Sequence, residues 1–115
     1  MPHVTLEFSK GIEQVHDIQT ICDQLFAVLA EHPEFDAETI KIRATPVEYY
    51  RLGTDPQSFV HATLLLMQGR DEATRSELTV AILEILSAAL PEVGSITVQD
   101  VQMNRASYAK RVAGP

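Results

Sequence analysis

The hydrophobic period of this chain switches from two to three-and-four and back, twice, and that double switch restricts the folds open to it. "HVTLEFS" alternates, with Val4, Leu6 and Phe8 on one side and Thr5, Glu7 and Ser9 on the other, the pattern of a strand with one buried face. "KGIEQVH" reads as a loop. From Asp17, a good N-cap residue, Ile18, Ile21, Cys22, Leu25 and Leu29 recur at helical spacing, and Phe26 and Val28 widen the stripe. An amphipathic helix ending near Glu31, before His32 and Pro33, follows. "ETIKIRATPVEYYRL" returns to period two, with Ile40, Ile42 and Ala44 on the inner face and Lys41, Arg43 and Thr45 on the other. Pro46 implies a bulge, an edge, or the end of regular pairing.

After the turn formers of "GTDPQS", "FVHATLLLM" reads as a strand buried on both faces. A second helix starts from Asp71 as cap, with Leu78, Ala81, Ile82, Ile85, Leu86 and Ala89 in one stripe, and Pro91 and Gly94 stop it. "SITVQDVQM" closes as a strand, followed by a short polar tail. The order is β-α-β-β-α-β, with no repeat at the residue level. Two β-α-β halves with right-handed crossovers would form a four-stranded sheet with both helices on one face, an α+β arrangement. The ferredoxin-like fold and any other duplicated β-α-β arrangement share that string, and fold alone decides no function.

The chain of 115 residues is expected to be a single domain, 1–115, near the low end for burying a core unaided. With 6% aromatics and no Trp, that core must be mostly aliphatic. The third strand carries Phe59, Thr63, Leu65 and Met67 opposite Val60, Ala62, Leu64 and Leu66. Helices on one face leave the other in need of a partner subunit, so an oligomer is expected.

A net charge of −7, with nine Lys and Arg and no basic run, argues against a nucleic-acid partner. An anion site would need its cations gathered locally, which screening beyond about 8 Å permits. The single Cys22 excludes an internal disulfide and reads as a small buried hydrophobe. His3 and Glu7 interrupt the first segment, so nothing resembles a signal peptide, and the longest apolar run, "ATLLLM", is far short of a membrane span. A cytoplasmic protein with no membrane partner is expected.

Pro2 has two readings. Proline fits the first position of a strand because it cannot donate to the ladder. Alternatively, removal of Met1 would make Pro2 a terminal secondary amine able to act as a base; with Met1 attached its nitrogen is an amide without basicity. Lys41 and Arg43 are either a substrate site or a solvated strand face, and Arg70 either binds an anion or merely ends a strand. Arg75 is expected to pair with Asp71 at i,i+4. His3, His16, His32 and His61 are dispersed without ligand spacing, so no metal site is expected. His61 reads as a core histidine, and Tyr49 and Tyr50 either line a pocket or cover the sheet.

"MPHVTLEFS", "IKIR" and "FVHATLLLMQGRDEATR" resemble the 5-carboxymethyl-2-hydroxymuconate Δ-isomerase family of the tautomerase superfamily, over almost the full length. The resemblance implies a tautomerase-like fold, a homotrimer, no metal or organic cofactor, and an amino-terminal proline base. It implies ketonisation of a dienol, a small-molecule dicarboxylate, with Pro2 as base, Arg70 as one substrate-binding cation, and Lys41 with Arg43 as the paired basic positions of the second strand. The departure is Lys41, where relatives carry arginine. Lysine offers a compact charge but no planar fork for a carboxylate, which leaves the exact substrate open. Keto–enol tautomerism of an aryl pyruvate is a nearby alternative. A non-catalytic binding or structural module of the same element order is the competing class, and it would have no need of a free Pro2 amine.

The residue chemistry agrees with the implied role. A base works best with a pKa near the operating pH, and nearby cations disfavour a protonated amine. Lys41, Arg43 and Arg70 would thus attract a dicarboxylate and also help keep Pro2 neutral. Arg70 also precedes a helix N-terminus, where anions are favoured.

Overall fold

The computed structural model describes residues 1–114. Strand β1 spans His3–Ser9, helix α1 Ile18–Glu31, β2 Lys41–Val47, β3 Phe59–Met67, α2 Glu72–Ala89 and β4 Ser95–Met103. Short 3-10 turns lie at Ile12–Gln14, Ala37–Thr39 and Arg105–Ser107; the first and last fall in segments that read only as loop or tail, while the second takes Glu38 and Thr39 from the head of the period-two segment, so that β2 starts at Lys41. Both helices begin where their caps predict. The Asp17 carboxylate accepts from the Thr20 N–H and the Asp71 carboxylate from the Thr74 N–H, each satisfying an N–H that the first helical turn leaves unpaired.

The four strands lie in the order β2-β1-β3-β4. β1 pairs with β2 in parallel and β3 with β4 in parallel, while β1 and β3 meet antiparallel at the centre. Each parallel pair is one β-α-β half, which selects a duplicated parallel arrangement from the two that the element string allows. β2 is an edge, and Pro46, opposite Phe8, costs no ladder bond on the free side.

One face of the sheet carries the core. Val4, Leu6, Val60, Ala62 and Leu64 are buried against Ile21, Leu25 and Leu29 of α1 and Leu78, Ile82 and Leu86 of α2. Ile42, Ala44, Ile96 and Val98 of the edge strands pack at the margin of this cluster. The stripe of α1 is narrower than its sequence suggests: Phe26 and Val28 remain exposed and Cys22 is only half-buried, because the single row Ile21, Leu25 and Leu29 is what the helix buries in the core.

Among the described residues no helix covers the opposite face. Phe59, His61, Thr63 and Leu65 alternate with the buried residues of β3 and are half-buried. His61 is therefore not a core histidine. It lies on this open face, where its Nδ1 meets Thr97 Oγ1 at 2.6 Å and its Nε2 meets Gln99 Nε2 at 2.9 Å. Arg75 also departs from expectation. Its Nη1 donates to Asp100 Oδ2 of β4 at 2.9 Å, since Asp71 spends its carboxylate on the cap. Among the described residues no helix is long and apolar enough to cross a membrane.

Candidate active site

Strand direction gathers the basic residues. β1 and β2 start, and β3 and β4 finish, at the same end of the sheet: His3 lies beside Lys41 and Leu65, and Met67 beside Met103. That end therefore receives the chain N-terminus, the first residues of β2, the turn leaving β3 and the tail leaving β4. Pro2 enters here, its ring fully buried and its carbonyl accepting the Lys41 N–H at 3.0 Å. Proline gives up no ladder bond in this place, and its ring anchors the terminus beside the sheet.

The turn after β3 depends on Gly69, whose φ of 121° lies in the left-handed region that residues with a Cβ avoid. It delivers Arg70 just ahead of the α2 cap. Arg70 Nη2 donates to the Glu34 carbonyl at 3.1 Å and Nη1 to the Met67 carbonyl at 3.4 Å. The guanidinium lies 5.2 Å from the Phe35 ring centroid. Its Nε is buried with no hydrogen-bond partner among the described residues, where the nearest carboxylate is Glu34 Oε2 at 4.0 Å. Of five guanidinium hydrogens, two are used, so the group is held firmly with donors to spare.

Lys41 and Arg43 project together from the open face of β2. Lys41 Nζ donates to the Thr39 carbonyl at 3.1 Å, and Arg43 Nη1 to His3 Nδ1 at 3.1 Å. Two further cations come from the tail. Arg105 Nη2 is 3.5 Å from the Gln68 carbonyl, and Lys110 Nζ lies 3.3 Å from Met1 Sδ.

The terminal amine, on Met1, registers this crowding. Its pKa is lowered from the ordinary 8.0 by partial burial and then by the charges of Arg70, Lys41, Lys110 and Arg105. Loss of Met1 would move the amine one residue along the chain, onto the Pro2 nitrogen. The His3 imidazole is likewise lowered from 6.5, by burial, then by Arg43, Lys41 and the terminal amine.

Arg70 and Lys41 thus meet at the N-terminus, while Arg43 stands one step away, behind His3. Arg105 and Lys110 lie in a segment whose sequence reads only as a short polar tail; the signal for them there is that three of the nine Lys and Arg fall in the last eleven residues. Tyr49 is almost fully exposed, and Tyr50 packs on Phe59 with ring centroids 4.9 Å apart. Tyr50, Arg51, Gly53 and Asp55 help line a hollow of about 400 Å³. That hollow follows the far end of β2, a strand length from Pro2, and is not where the cations gather.

Paired parallel β-α-β halves, with a buried proline at the cationic end of the first strand, define a tautomerase-type fold. A crystal structure of a 5-carboxymethyl-2-hydroxymuconate isomerase from Deinococcus radiodurans R1 is 25% identical, with a TM-score of 0.83 over 96% of this chain and 88% of that one. A second, of a 5-carboxymethyl-2-hydroxymuconate delta-isomerase, is 18% identical with a TM-score of 0.83, over 98% of this chain and 89% of that one. A fused 4-OT described as a wild-type symmetric trimer shares the fold at 14% identity and a TM-score of 0.80, over 95% and 93% of the two chains. No curated protein matches the sequence significantly. The family model for 5-carboxymethyl-2-hydroxymuconate isomerase matches residues 2–103. The chain belongs to that family, and is an isomerase.

Proposed function

We propose that this isomerase ketonises an unsaturated 2-hydroxy acid with a carboxylate at each end of its conjugated chain, of the 5-carboxymethyl-2-hydroxymuconate type, using the Pro2 amine, freed by loss of Met1, as proton carrier. One observation carries the reading: Arg70, Lys41, Lys110 and Arg105 all act on the terminal amine of a chain whose net charge is −7. Such a gathering opposes the overall field and requires a reason, which a substrate carrying several carboxylates supplies.

In this reading the neutral Pro2 nitrogen takes the proton of the 2-hydroxyl through its lone pair. The oxygen's electrons form the carbonyl, the conjugated double bonds shift, and the distant carbon takes a proton back from the Pro2 ammonium. Electrons stay within the substrate and the proton returns to it, so the route needs no metal or organic cofactor. Arg70 grips one carboxylate, and Lys41 with Arg43 the other. The same charges stabilise the dienolate that develops, and hold down the pKa of the amine so that its lone pair is free near neutral pH.

The working form in this reading is a homotrimer in the cytoplasm, without nucleic-acid or membrane partners. Its support is the open sheet face, where Phe59 and Leu65 are only half-buried, together with the shared fold of a structure described as a symmetric trimer. A monomeric mass at micromolar concentration would overturn the trimer.

The test of the mechanism compares processed and Met1-retaining protein on 5-carboxymethyl-2-hydroxymuconate, following loss of the dienol's ultraviolet absorbance. The processed form should turn over and the Met1-retaining form lose nearly all activity, with Pro2→Ala keeping part of it through a primary amine. Equal rates from the two forms would overturn the proline mechanism.

A further inference from the structure

The tail that sequence reading passes over contributes more than charge. Tyr108 follows the 3-10 turn at Arg105–Ser107 and is half-buried against the start of β1. Its hydroxyl meets His3 Nε2 at 2.8 Å, and the two rings stand edge to face with centroids 5.8 Å apart. The other imidazole nitrogen, Nδ1, meets Arg43 Nη1 at 3.1 Å.

The direction of this chain is dictated by its first member. A guanidinium has donors and no acceptor, so Arg43 donates and Nδ1 must present its lone pair. A neutral ring then carries its single proton on Nε2, which donates to the Tyr108 oxygen. Burial and the neighbouring charges of Arg43, Lys41 and the terminal amine keep the ring neutral, as its lowered pKa records. The phenol has thus accepted one bond, and among the described residues its own O–H donates to no protein acceptor. Bonds running one way along a chain polarise one another, so that last O–H is a stronger donor than an isolated phenol.

We propose that Tyr108 is a further substrate-contacting residue, whose O–H, oriented through Arg43 and His3, donates to the 2-oxygen of the dienol and of the oxyanion derived from it. His3 is a positioning residue in this scheme. The inference rests on the substrate site proposed above, because it assumes that the dicarboxylate occupies the cationic end of the sheet. It gives Arg43, whose Nη1 is engaged with His3, a second task beside the carboxylate. It also supplies a neutral donor at the oxygen whose charge changes, where a donor stabilises the transition state more than the ground state.

Two probes separate this donor from general packing. Isophthalate carries two carboxylates; 4-hydroxyisophthalate adds a hydroxyl beside one of them, in the place of the dienol oxygen. Calorimetric titration of the full-length protein should show Tyr108→Phe binding 4-hydroxyisophthalate about tenfold more weakly than the parent, with isophthalate unchanged within twofold. Equal weakening of both probes, or of neither, would overturn the proposal while leaving the cationic site intact. Failure of the parent to bind either probe would overturn both. Binding of both probes without Pro2-dependent turnover would remove the isomerase mechanism and leave Tyr108 standing on its selective loss. A second measurement needs no ligand: nitrogen-15 spectra should show His3 protonated at Nε2 and bare at Nδ1 at pH 7, and a proton on Nδ1 would overturn the relay.

Discussion

Arg70→Ala tests whether one arginine serves the fold and the substrate together. The bond to the Glu34 carbonyl, 3.1 Å and charge-assisted, contributes about 1.5 kcal/mol. The bond to the Met67 carbonyl is long at 3.4 Å and adds about 0.5 kcal/mol. The cation over Phe35 at 5.2 Å adds about 0.5 kcal/mol. Against these stands the buried Nε without a partner, whose removal returns about 1 kcal/mol. A net loss of about 1.5 kcal/mol lowers the urea midpoint by about 1 M for a slope of about 1.5 kcal/mol/M. Kinetics at a temperature where both proteins are folded should show a larger effect: loss of one charged contact to a carboxylate lowers kcat/KM by about 10–100-fold, mostly through KM. Arg70→Lys separates the two roles. It keeps the charge and recovers part of kcat/KM, but a single ammonium cannot span both carbonyls, so the midpoint stays low. An Arg70→Ala protein with unchanged midpoint and unchanged kcat/KM would refute the reasoning.

Three further outcomes follow from the same structure. Leu64→Ala empties a fully buried position between Val4 and Asp100 on the core face, and should cost about 3 kcal/mol by chemical denaturation; a loss under about 1 kcal/mol would mean that the sheet collapses onto the gap. Asp100→Asn removes the charge opposite Arg75 at 2.9 Å in a pair whose side chains are each about a quarter exposed (24% and 23%), and should cost about 1–2 kcal/mol, whereas Asp71→Asn, which keeps a capping oxygen, should cost much less. Because the folded protein holds His3 below 6.5 and the Met1 amine below 8.0, the unfolded chain binds more protons between each lowered value and its ordinary one. Stability of the Met1-retaining protein should therefore rise with pH through those windows and gain nothing more from these groups above 8.0; His3→Gln should flatten the lower part of the rise, and an unchanged slope would refute the assignment.

Local order was legible in the chain itself. Alternation in "HVTLEFS" and "FVHATLLLM", and three-four spacing after Asp17 and Asp71, placed six elements because each period must turn one face toward a core. Legible too were the candidate residues Pro2, Lys41, Arg43 and Arg70, through motifs that resemble the family. Pairing was not. A β-α-β-β-α-β string leaves open which strands run parallel, and only the sheet order β2-β1-β3-β4 made two strand starts and two strand ends coincide. That coincidence carried Arg105, Tyr108 and Lys110 to the N-terminus, across about a hundred residues of chain that no periodicity can span. It also redirected Arg75 from Asp71, its neighbour along the helix, to Asp100 on β4, and set His61 on the open face. Periodicity reports which way a side chain faces relative to its own element; what it faces is decided when distant elements pack.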